Sequence, residues 1–285
     1  MILVTGAGGK TGQAIIRELA VTGAPVRALV YRPAHVEPVQ ALGAAEVVSG
    51  DMAEPAIYEQ ATAGIETLYH ICPNMHPAEE MLGRVAIAAA QANGVRRFVY
   101  HSVLHPQTEK MPHHWHKLRV EERLFEAGLD FTILQPAAYM QNVLGGWQTI
   151  VEQGRYRVPY PVETRLAMVD LADVAAVAAK VLTEPDHAGA VYELAGPTAL
   201  TQSEVAAELS QILGRPVQAE RLPLDEWLAG AAAAGLSQYA LETLVNMFHY
   251  YERYGFWGNA NVLGWLLGRP PTTFREFVTR TVAQG

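Results

Sequence analysis

The stretch "VTGAGGKTG", residues 4–12, decides the fold, because it joins a short apolar run to the start of a helix through a turn rich in glycine. Gly6, Gly9 and Gly12 recur at every third position. Such a turn is tight and brings bare backbone N–H groups to a helix N-terminus, where the pyrophosphate of a dinucleotide binds. The alternative is a strand-to-helix turn without a ligand. We predict dinucleotide contacts from the residues Gly6, Gly8, Gly9, Lys10, Thr11 and Gly12.

Short apolar runs alternate with helical patterns through the first half of the chain. Strands are predicted at residues 1–5, 26–30, 45–49, 65–71, 96–102 and 130–135, with helices that begin near Lys10, Met52, Ala78 and His114. This alternation is typical of parallel strands covered by helices on both faces. We predict an α/β fold, a Rossmann-type doubly wound parallel sheet with a smaller, mostly helical C-terminal lobe.

The alternation of strands and helices becomes irregular after about residue 150. Strands are predicted at 155–159 and 190–196, with helices after Asp170, after Thr201 and from about Leu224 onward. We therefore divide the chain into a dinucleotide-binding domain, residues 1–150, and a substrate-binding lobe, residues 151–285, interleaved with the sheet. The boundary is soft, because no linker composition marks it.

Composition excludes several function classes. The chain has 285 residues, a formal net charge of −8 and no basic run longer than Arg96-Arg97, so direct binding to nucleic acid is not expected. The only cysteine is Cys72, which permits no intrachain disulfide and favours a reducing compartment. No apolar stretch reaches the roughly 20 residues of a membrane span. Since residue 1 runs directly into the first strand, we expect no leader and a cytoplasmic protein.

The end of the second strand indicates which dinucleotide binds. An acidic residue about 20 positions after the glycine turn bonds the 2′-hydroxyl of NAD, whereas an arginine accommodates the 2′-phosphate of NADP. Here that position holds Arg32, and Lys10 adds a second positive charge inside the turn. We predict NADP(H) in preference to NAD(H). The alternative is an exposed arginine without a ligand.

The ends of the third and fourth strands supply further candidate contacts. Asp51 is predicted to accept a hydrogen bond from the adenine amino group while Met52 packs on the ring, although Asp51 could instead cap the following helix. Cys72 and Pro73 follow the fourth strand and are candidates to line the path of the riboses, because strand ends face the binding crevice of an open α/β sheet.

The whole chain resembles the NmrA-like branch of the atypical short-chain dehydrogenase/reductases. The resemblance rests on "TGAGGKTG", "LVYRP", "SGDM", the long stretch "HHWHKLRVEERLFEAGLDFTILQPAAYMQN" and "LLGRPPTTFREFV" near the end. It implies a Rossmann domain that binds NAD(P), with a smaller C-terminal lobe over a substrate cleft. Members of this branch include quinone, triphenylmethane-dye and isoflavone-type reductases, and also redox-sensing regulators that bind the dinucleotide without turnover.

The resemblance also implies roles for three polar residues. Ordinary members of the superfamily carry Tyr-x-x-x-Lys on one helix face and a serine at the end of the fifth strand. Lys117 matches the lysine, Ser102 matches the serine, and His113 stands where the tyrosine is expected. We predict that Lys117 bonds the nicotinamide ribose and that His113 is a candidate proton donor, because histidine changes charge near physiological pH. A solvated lysine and a histidine without catalytic duty are the alternatives.

The same helix carries a predicted buried stripe and two further histidines. Leu118, Val120, Leu124 and Phe125 are assigned to the stripe. His114 and His116 diverge from the face of His113, and neither a His-Glu-x-x-His motif nor a cysteine pair is present, so no metal site is predicted.

The segment after the sixth strand is assigned to nicotinamide and substrate. The resemblance places Pro136, Ala137 and Ala138 under the nicotinamide and Tyr139 near the substrate, while Gln141 and Asn142 are pocket residues or helix caps. In the C-terminal lobe, six aromatic residues between 248 and 257 suit an apolar cleft, although aromatic residues at this density are more often core.

Two functional hypotheses follow. The first is an NADPH-dependent reductase that transfers hydride to a planar, apolar small molecule such as a quinone, a dye or a conjugated carbonyl compound, acting as a monomer or homodimer. The second is a non-catalytic dinucleotide sensor that acts through a protein partner. Retention of Lys117 and Ser102 favours the enzyme, and the loss of the tyrosine keeps the sensor in consideration.

Overall fold

The structure is a computed structural model that describes residues 1–284. Its strands are β1 (Ile2–Val4), β2 (Val26–Val30), β3 (Glu46–Ser49), β4 (Thr67–His70), β5 (Arg97–His101), β6 (Asp130–Pro136), β7 (Arg155–Val158), β8 (Leu166–Ala167), β9 (Ala190–Leu194), β10 (Ala199–Leu200) and β11 (Gln218–Arg221). Its α-helices are α1 (Lys10–Thr22), α2 (Val36–Ala41), α3 (Pro55–Thr62), α4 (Glu79–Ala92), α5 (Pro112–Phe125), α6 (Trp147–Gln153), α7 (Leu171–Thr183), α8 (Gln202–Leu213), α9 (Leu224–Ala233), α10 (Gln238–Tyr254), α11 (Asn261–Leu267) and α12 (Phe274–Gln284).

Seven strands form one sheet in the order β3-β2-β1-β4-β5-β6-β9. The first six pair in parallel, with Ile2 opposite both Val26 and Thr67. Because crossover connections are right-handed, the reversal of strand order between β1 and β4 places the helices on both faces and opens a crevice at the carboxyl ends of these two strands. The predicted fold class and the six predicted strands are confirmed.

The structure shifts the starts of two predicted helices by a few residues, adds a helix and corrects one burial assignment. The helix predicted near Met52 begins at Pro55, and the helix predicted near His114 begins at Pro112. Proline suits the first helical position, because an N–H there would have no acceptor within the helix. The short helix α2 was not predicted. Phe125 was assigned to the buried stripe, but it is 57% exposed and packs edge-on against Phe131.

The chain divides into two compact units. The first comprises residues 1–108, 113–135 and 174–192. Its core is an apolar cluster around Leu3, Leu68, Phe98 and Tyr100. The late segment is held by polar contacts, since Arg97 donates to three carbonyls at the end of α7, at 3.0–3.1 Å, and the hydroxyl of Thr132 donates to the carbonyl of His187.

The second unit comprises residues 109–112, 136–173 and 193–284. Two small sheets, antiparallel β8–β10 and parallel β7–β11, accompany its helices. Phe248, Tyr251 and Phe256 are buried in it, as expected for aromatic residues that serve as core. The segment after α11 is anchored to the N-terminus of α7, where Arg269 pairs with Asp173 at 2.6 Å. Within residues 1–284, no helix combines the length and apolarity that crossing a bilayer requires.

Candidate active site

The glycine turn lies at the carboxyl end of β1 and is fixed to the end of β4. The hydroxyl of Thr5 accepts from the N–H of Ile71 at 2.8 Å and donates to its carbonyl at 3.1 Å. Gly6 has φ +59°, and a Cβ at Gly12 would lie 2.6 Å from the carbonyl oxygen of Gly6. Only glycine fits at both positions, so the first turn of α1 approaches the strand closely and leaves its backbone open to a ligand. Gly9 caps the helix in extended conformation without a side-chain hydrogen bond.

The end of β2 contributes a histidine that sequence reasoning missed. A Cβ at Gly8 would overlap the imidazole of His35, so the ring of His35 lies against the glycine turn. Arg32, at the start of the 3-10 turn Pro33–His35, and Lys10, at the start of α1, are exposed. The first glycine of the "GG" pair, Gly8, was the available signal, because it falls outside the regular spacing of three. The residues around the turn fit an anionic dinucleotide, with two exposed cations and a bare helix N-terminus.

Asp51 and Met52 occupy a turn between β3 and α3. The Asp51 carboxylate accepts from the N–H of Ala53 at 2.8 Å. The suggestion that Asp51 caps the next helix is wrong, since the N-cap of α3 is Glu54. Met52 is 8% exposed within the core cluster, which leaves little of its side chain for contact with a ring.

Lys117 is held by a buried carboxylate. Its Nζ lies 2.9 Å from Glu79 Oε1 and 3.3 Å from the carbonyl oxygen of His101. The Tyr100 hydroxyl also donates to Glu79 at 2.8 Å. Burial raises the pKa of Glu79, but the Lys117 charge and these hydrogen bonds outweigh it, so its pKa lies below the ordinary value. The alternative of a solvated lysine is wrong, because the Lys117 side chain is 16% exposed.

Cys72 belongs to the same polar network. Its thiol is 6% exposed and hydrogen-bonded to Glu79. Burial raises its pKa well above the ordinary thiol value, and the Glu79 charge adds to that rise. The thiol is therefore protonated and unreactive, whereas the neighbouring Pro73 is exposed.

Ser102 follows the carboxyl end of β5, and its hydroxyl donates to Glu121 Oε1. The side-chain amide of Gln135 donates to both oxygens of Glu121, at 3.0 Å each. Glu121 is 3% exposed and Ser102 is 2% exposed. Burial raises the pKa of Glu121, although its hydrogen bonds and the Lys117 charge act in the opposite direction.

The three clustered histidines point in different directions. The His113 ring packs edge-on against His114, with centroids 4.4 Å apart. His114 Nδ1 donates to the carbonyl of His105 at 3.2 Å, and His116 Nδ1 lies 3.0 Å from Glu80. Among residues 1–284, no three His, Cys, Asp or Glu side chains are arranged to hold a metal ion.

His113 does not titrate where it was expected to. Burial, with the neighbouring His114, Lys117 and His116, lowers its pKa to about 2. Its Nδ1 is buried and has no hydrogen-bond partner among the described residues. The expectation that His113 changes charge near physiological pH is therefore wrong, and the ring stays neutral. His101 behaves likewise: its Nδ1 bonds the Tyr69 hydroxyl at 2.7 Å, and burial lowers its pKa to about 3.

The segment after β6 lies in the second unit. Pro136 is buried at the end of β6, and Ala138 accepts from the N–H of Val169 at 2.9 Å. Tyr139 forms an isolated bridge with Val169. Asn142 is exposed in the 3-10 turn Met140–Gly146, and its backbone N–H donates to Tyr139. Gln141 accepts from the N–H of Leu171 at 3.1 Å and donates to Asp170, which makes it a cap of α7.

The sequence matches one family over nearly its full length. The model of the NmrA-like family covers residues 1–278. The chain belongs to the NmrA-like family. The resemblance seen in the sequence is confirmed.

Proteins of known activity are similar to this chain over nearly its whole length. Quinone oxidoreductase 2 of Escherichia coli (strain K12) is 30% identical over 281 residues, 98% of each chain. NAD(P)H azoreductase of Xenophilus azovorans is 30% identical over 279 residues, 97% of this chain and 96% of its own. A crystal structure of the E. coli NADPH-dependent quinone oxidoreductase with NADPH superposes with a TM-score of 0.86 over 99% of this chain and 100% of its own.

A more distant structure shows the fold alone. Triphenylmethane reductase of Citrobacter sp., crystallised with NADP(H), is 23% identical and superposes with a TM-score of 0.83, over 98% of this chain and 99% of its own.

Sequence reasoning found the polar residues of this NmrA-like chain that match a known motif and missed their buried partners. Glu79 accepts from Lys117 and Glu121 accepts from Ser102, while Gln135 donates to Glu121 and holds it in place. The available signal was helical spacing, because Glu121 stands four residues after Lys117 and so shares its face of α5.

Proposed function

We propose that the protein is a reductase that uses NADPH to transfer hydride to a small conjugated acceptor such as a quinone or a dye. The observation that carries the proposal is the glycine turn, whose glycines at positions 6 and 12 admit no side chain, in a chain that is 30% identical over its length to a quinone oxidoreductase. The cofactor assignment is supported by the NADPH-dependence of that relative.

The dinucleotide contacts are assigned to the first unit. The backbone of the turn, residues Gly6, Gly8, Gly9, Lys10, Thr11 and Gly12, binds the pyrophosphate at the N-terminus of α1. Arg32 and Lys10 bind the 2′-phosphate of NADP(H), since both are exposed cations next to the turn. Asp51, Met52, Cys72 and Pro73 border the adenosine and ribose path, the buried Met52 and Cys72 through their backbone.

The reacting end is assigned to the polar network of α5 and β5. When bound, the reduced nicotinamide supplies the hydride. Lys117 bonds the nicotinamide ribose and Ser102 faces the acceptor. Pro136 and Ala138 border the nicotinamide, while Tyr139 and Asn142 contact the substrate. In this proposal residues 1–150 bind the dinucleotide, residues 151–285 select the acceptor, and the protein works in the cytoplasm as a monomer or homodimer.

A second candidate is a dinucleotide sensor without turnover. It is favoured by His113, which replaces the expected tyrosine and is neutral because burial lowers its pKa. A sensor binds NADPH as tightly as the reductase, and it acts through a protein partner.

Purified protein decides between the two. NADPH oxidation is followed by the absorbance of the reduced nicotinamide against quinones, azo dyes and triphenylmethane dyes, and NADPH and NADH binding is measured by calorimetry. Saturable turnover that falls sharply in Lys117→Ala, and not in the surface control Lys180→Ala, supports the reductase. Tight NADPH binding without turnover of any acceptor refutes it and supports the sensor.

A further inference from the structure

The carboxyl group of Glu121 is buried against Ser102 without a cation to neutralise it. The neutral side-chain amide of Gln135 donates two hydrogen bonds to it, and the Ser102 hydroxyl donates a third. No ion pair of the described chain includes Glu121, because the nearest lysine on its own helix, Lys117, is paired with Glu79. A buried carboxyl group whose hydrogen-bond partners are uncharged favours its protonated form.

The charged and titratable groups around Glu121 come from three elements. Lys117 lies one turn earlier on α5 and lowers the pKa of Glu121. Burial and the nearby charges, that of Glu121 among them, raise the pKa of Tyr100 on β5. Its hydroxyl donates to Glu79 at the start of α4. Burial outweighs the favourable contacts, so the pKa of Glu121 stays above the ordinary carboxyl value.

The protonation state of Glu121 decides where the Ser102 proton points. An ionised Glu121 accepts the Ser102 proton in a hydrogen bond. A protonated Glu121 donates to the Ser102 oxygen instead, which frees the serine proton for an acceptor beyond the carboxyl end of β5, the edge where α/β sheets bind ligands. The neutral His113, at the position of the expected tyrosine, offers no equivalent acid.

We propose that Glu121 is the proton reservoir of the reaction and that it acts through Ser102. The inference rests on the proposed function. With a quinone, hydride adds to the acceptor and carries both electrons, Ser102 gives its proton to the resulting oxygen anion, and Glu121 gives its carboxyl proton to Ser102. Solvent reprotonates Glu121 after the hydroquinone leaves. With a cationic triphenylmethane dye, hydride addition alone gives a neutral product, so no proton is consumed.

The difference between these acceptor classes provides the test. Steady-state rates with a quinone and with a cationic triphenylmethane dye are measured for wild type, Glu121→Gln and Ser102→Ala. General acids contribute about 100-fold or more, so we expect the quinone-to-dye rate ratio to fall about 100-fold in each variant. The double variant should fall no further, because both residues serve one relay. The matched control is Glu122→Gln, the exposed neighbour that pairs with Arg119, and its ratio should equal that of wild type.

The pH dependence gives a second readout. Because the pKa of Glu121 is raised, the quinone rate of wild type should be highest on the acid side and fall as pH rises through that pKa, whereas Glu121→Gln should lack this limb. In the protein without nucleotide, infrared difference spectra of wild type minus Glu121→Gln should show a protonated-carboxyl C=O band that titrates over the same range.

The outcomes separate the relay from the function on which it rests. A wild type that turns over neither acceptor refutes the proposed function. A wild type that turns over both, with an unchanged quinone-to-dye ratio in Glu121→Gln, refutes the relay alone. An infrared spectrum in which Glu121 is already ionised below the ordinary carboxyl range also refutes it.

Discussion

Removing either partner of the buried ion pair between Glu79 and Lys117 should strongly destabilise the protein. Glu79 is 5% exposed and Lys117 is 16% exposed at the side chain, and their charged atoms lie 2.9 Å apart. Removing one partner of a buried pair typically costs about 3–5 kcal/mol, because the other charge is left uncompensated. Glu79→Gln keeps an oxygen that accepts from Lys117 and Tyr100, so we expect the lower end of that range, about 3 kcal/mol of unfolding free energy.

Urea unfolding of wild type, Glu79→Gln, Lys117→Met and the double variant provides the assay. The double variant should be more stable than the sum of the single losses predicts, because it leaves no uncompensated charge. Glu80→Gln is the matched control, since Glu80 is the next residue but is 35% exposed and pairs with His116 rather than with Lys117. Its loss should stay within about 0.5 kcal/mol.

The pH dependence has a definite sign. The pKa of Glu79 is lowered in the folded protein, so its contribution is present above the ordinary carboxyl pKa, about 4.3, and is lost as pH falls through the folded value. The difference between wild type and Glu79→Gln should therefore shrink in acid. If Glu79→Gln unfolds like Glu80→Gln at neutral pH, or if the difference grows in acid, the reasoning is refuted.

Two further predictions concern the dinucleotide site. Gly12→Ala should lower the unfolding free energy by about 1–3 kcal/mol and should also weaken NADPH binding, because its Cβ would lie 2.6 Å from the carbonyl oxygen of Gly6. Thermal unfolding measures the first effect and calorimetry the second. The control Gly145→Ala should match wild type, because a Cβ there meets no atom within 4 Å. Arg32→Asp should reduce the ratio of NADPH to NADH affinity at least tenfold, because losing one charge-assisted hydrogen bond costs roughly 1.4 kcal/mol of binding free energy. An unchanged ratio, or an equal change in the exposed Arg17→Asp control, would contradict the assignment.

The central strands β1, β2, β4, β5 and β6 were predictable because they are largely buried and so appear in the sequence as mainly apolar runs. The residues at which the helices begin were less predictable. The turn after β3 delays α3 to Pro55, since the Asp51 carboxylate binds the N–H of Ala53 and stabilises a turn that no periodic pattern marks. Phe125 followed the apolar pattern of α5 but lies at its exposed end, where Phe131 covers one side of the ring.

The site was predictable where a motif names the residue, and not where a charged residue is buried. Glutamates in a helix are ordinarily assigned to solvent, so Glu121, which is buried, was not separated from Glu122, which is exposed, although its spacing of four residues from Lys117 offered a signal. The distinction depends on Ser102, just after β5, and Gln135, on β6, which lie 19 and 14 positions from Glu121 in the sequence.

The balance of charge in this network restricts the acceptor. The Lys117 charge is compensated by Glu79, and burial lowers the pKa of His101 and His113, so both imidazoles are neutral. An acceptor that gains a localised negative charge on hydride transfer would find no uncompensated cation among these groups. Acceptors that spread the charge over a conjugated system, or that begin as cations, need less such stabilisation. We therefore expect quinones and cationic dyes to be reduced faster than simple ketones, and faster turnover of simple ketones in the same assay would show that the Lys117 charge is available to the substrate after all.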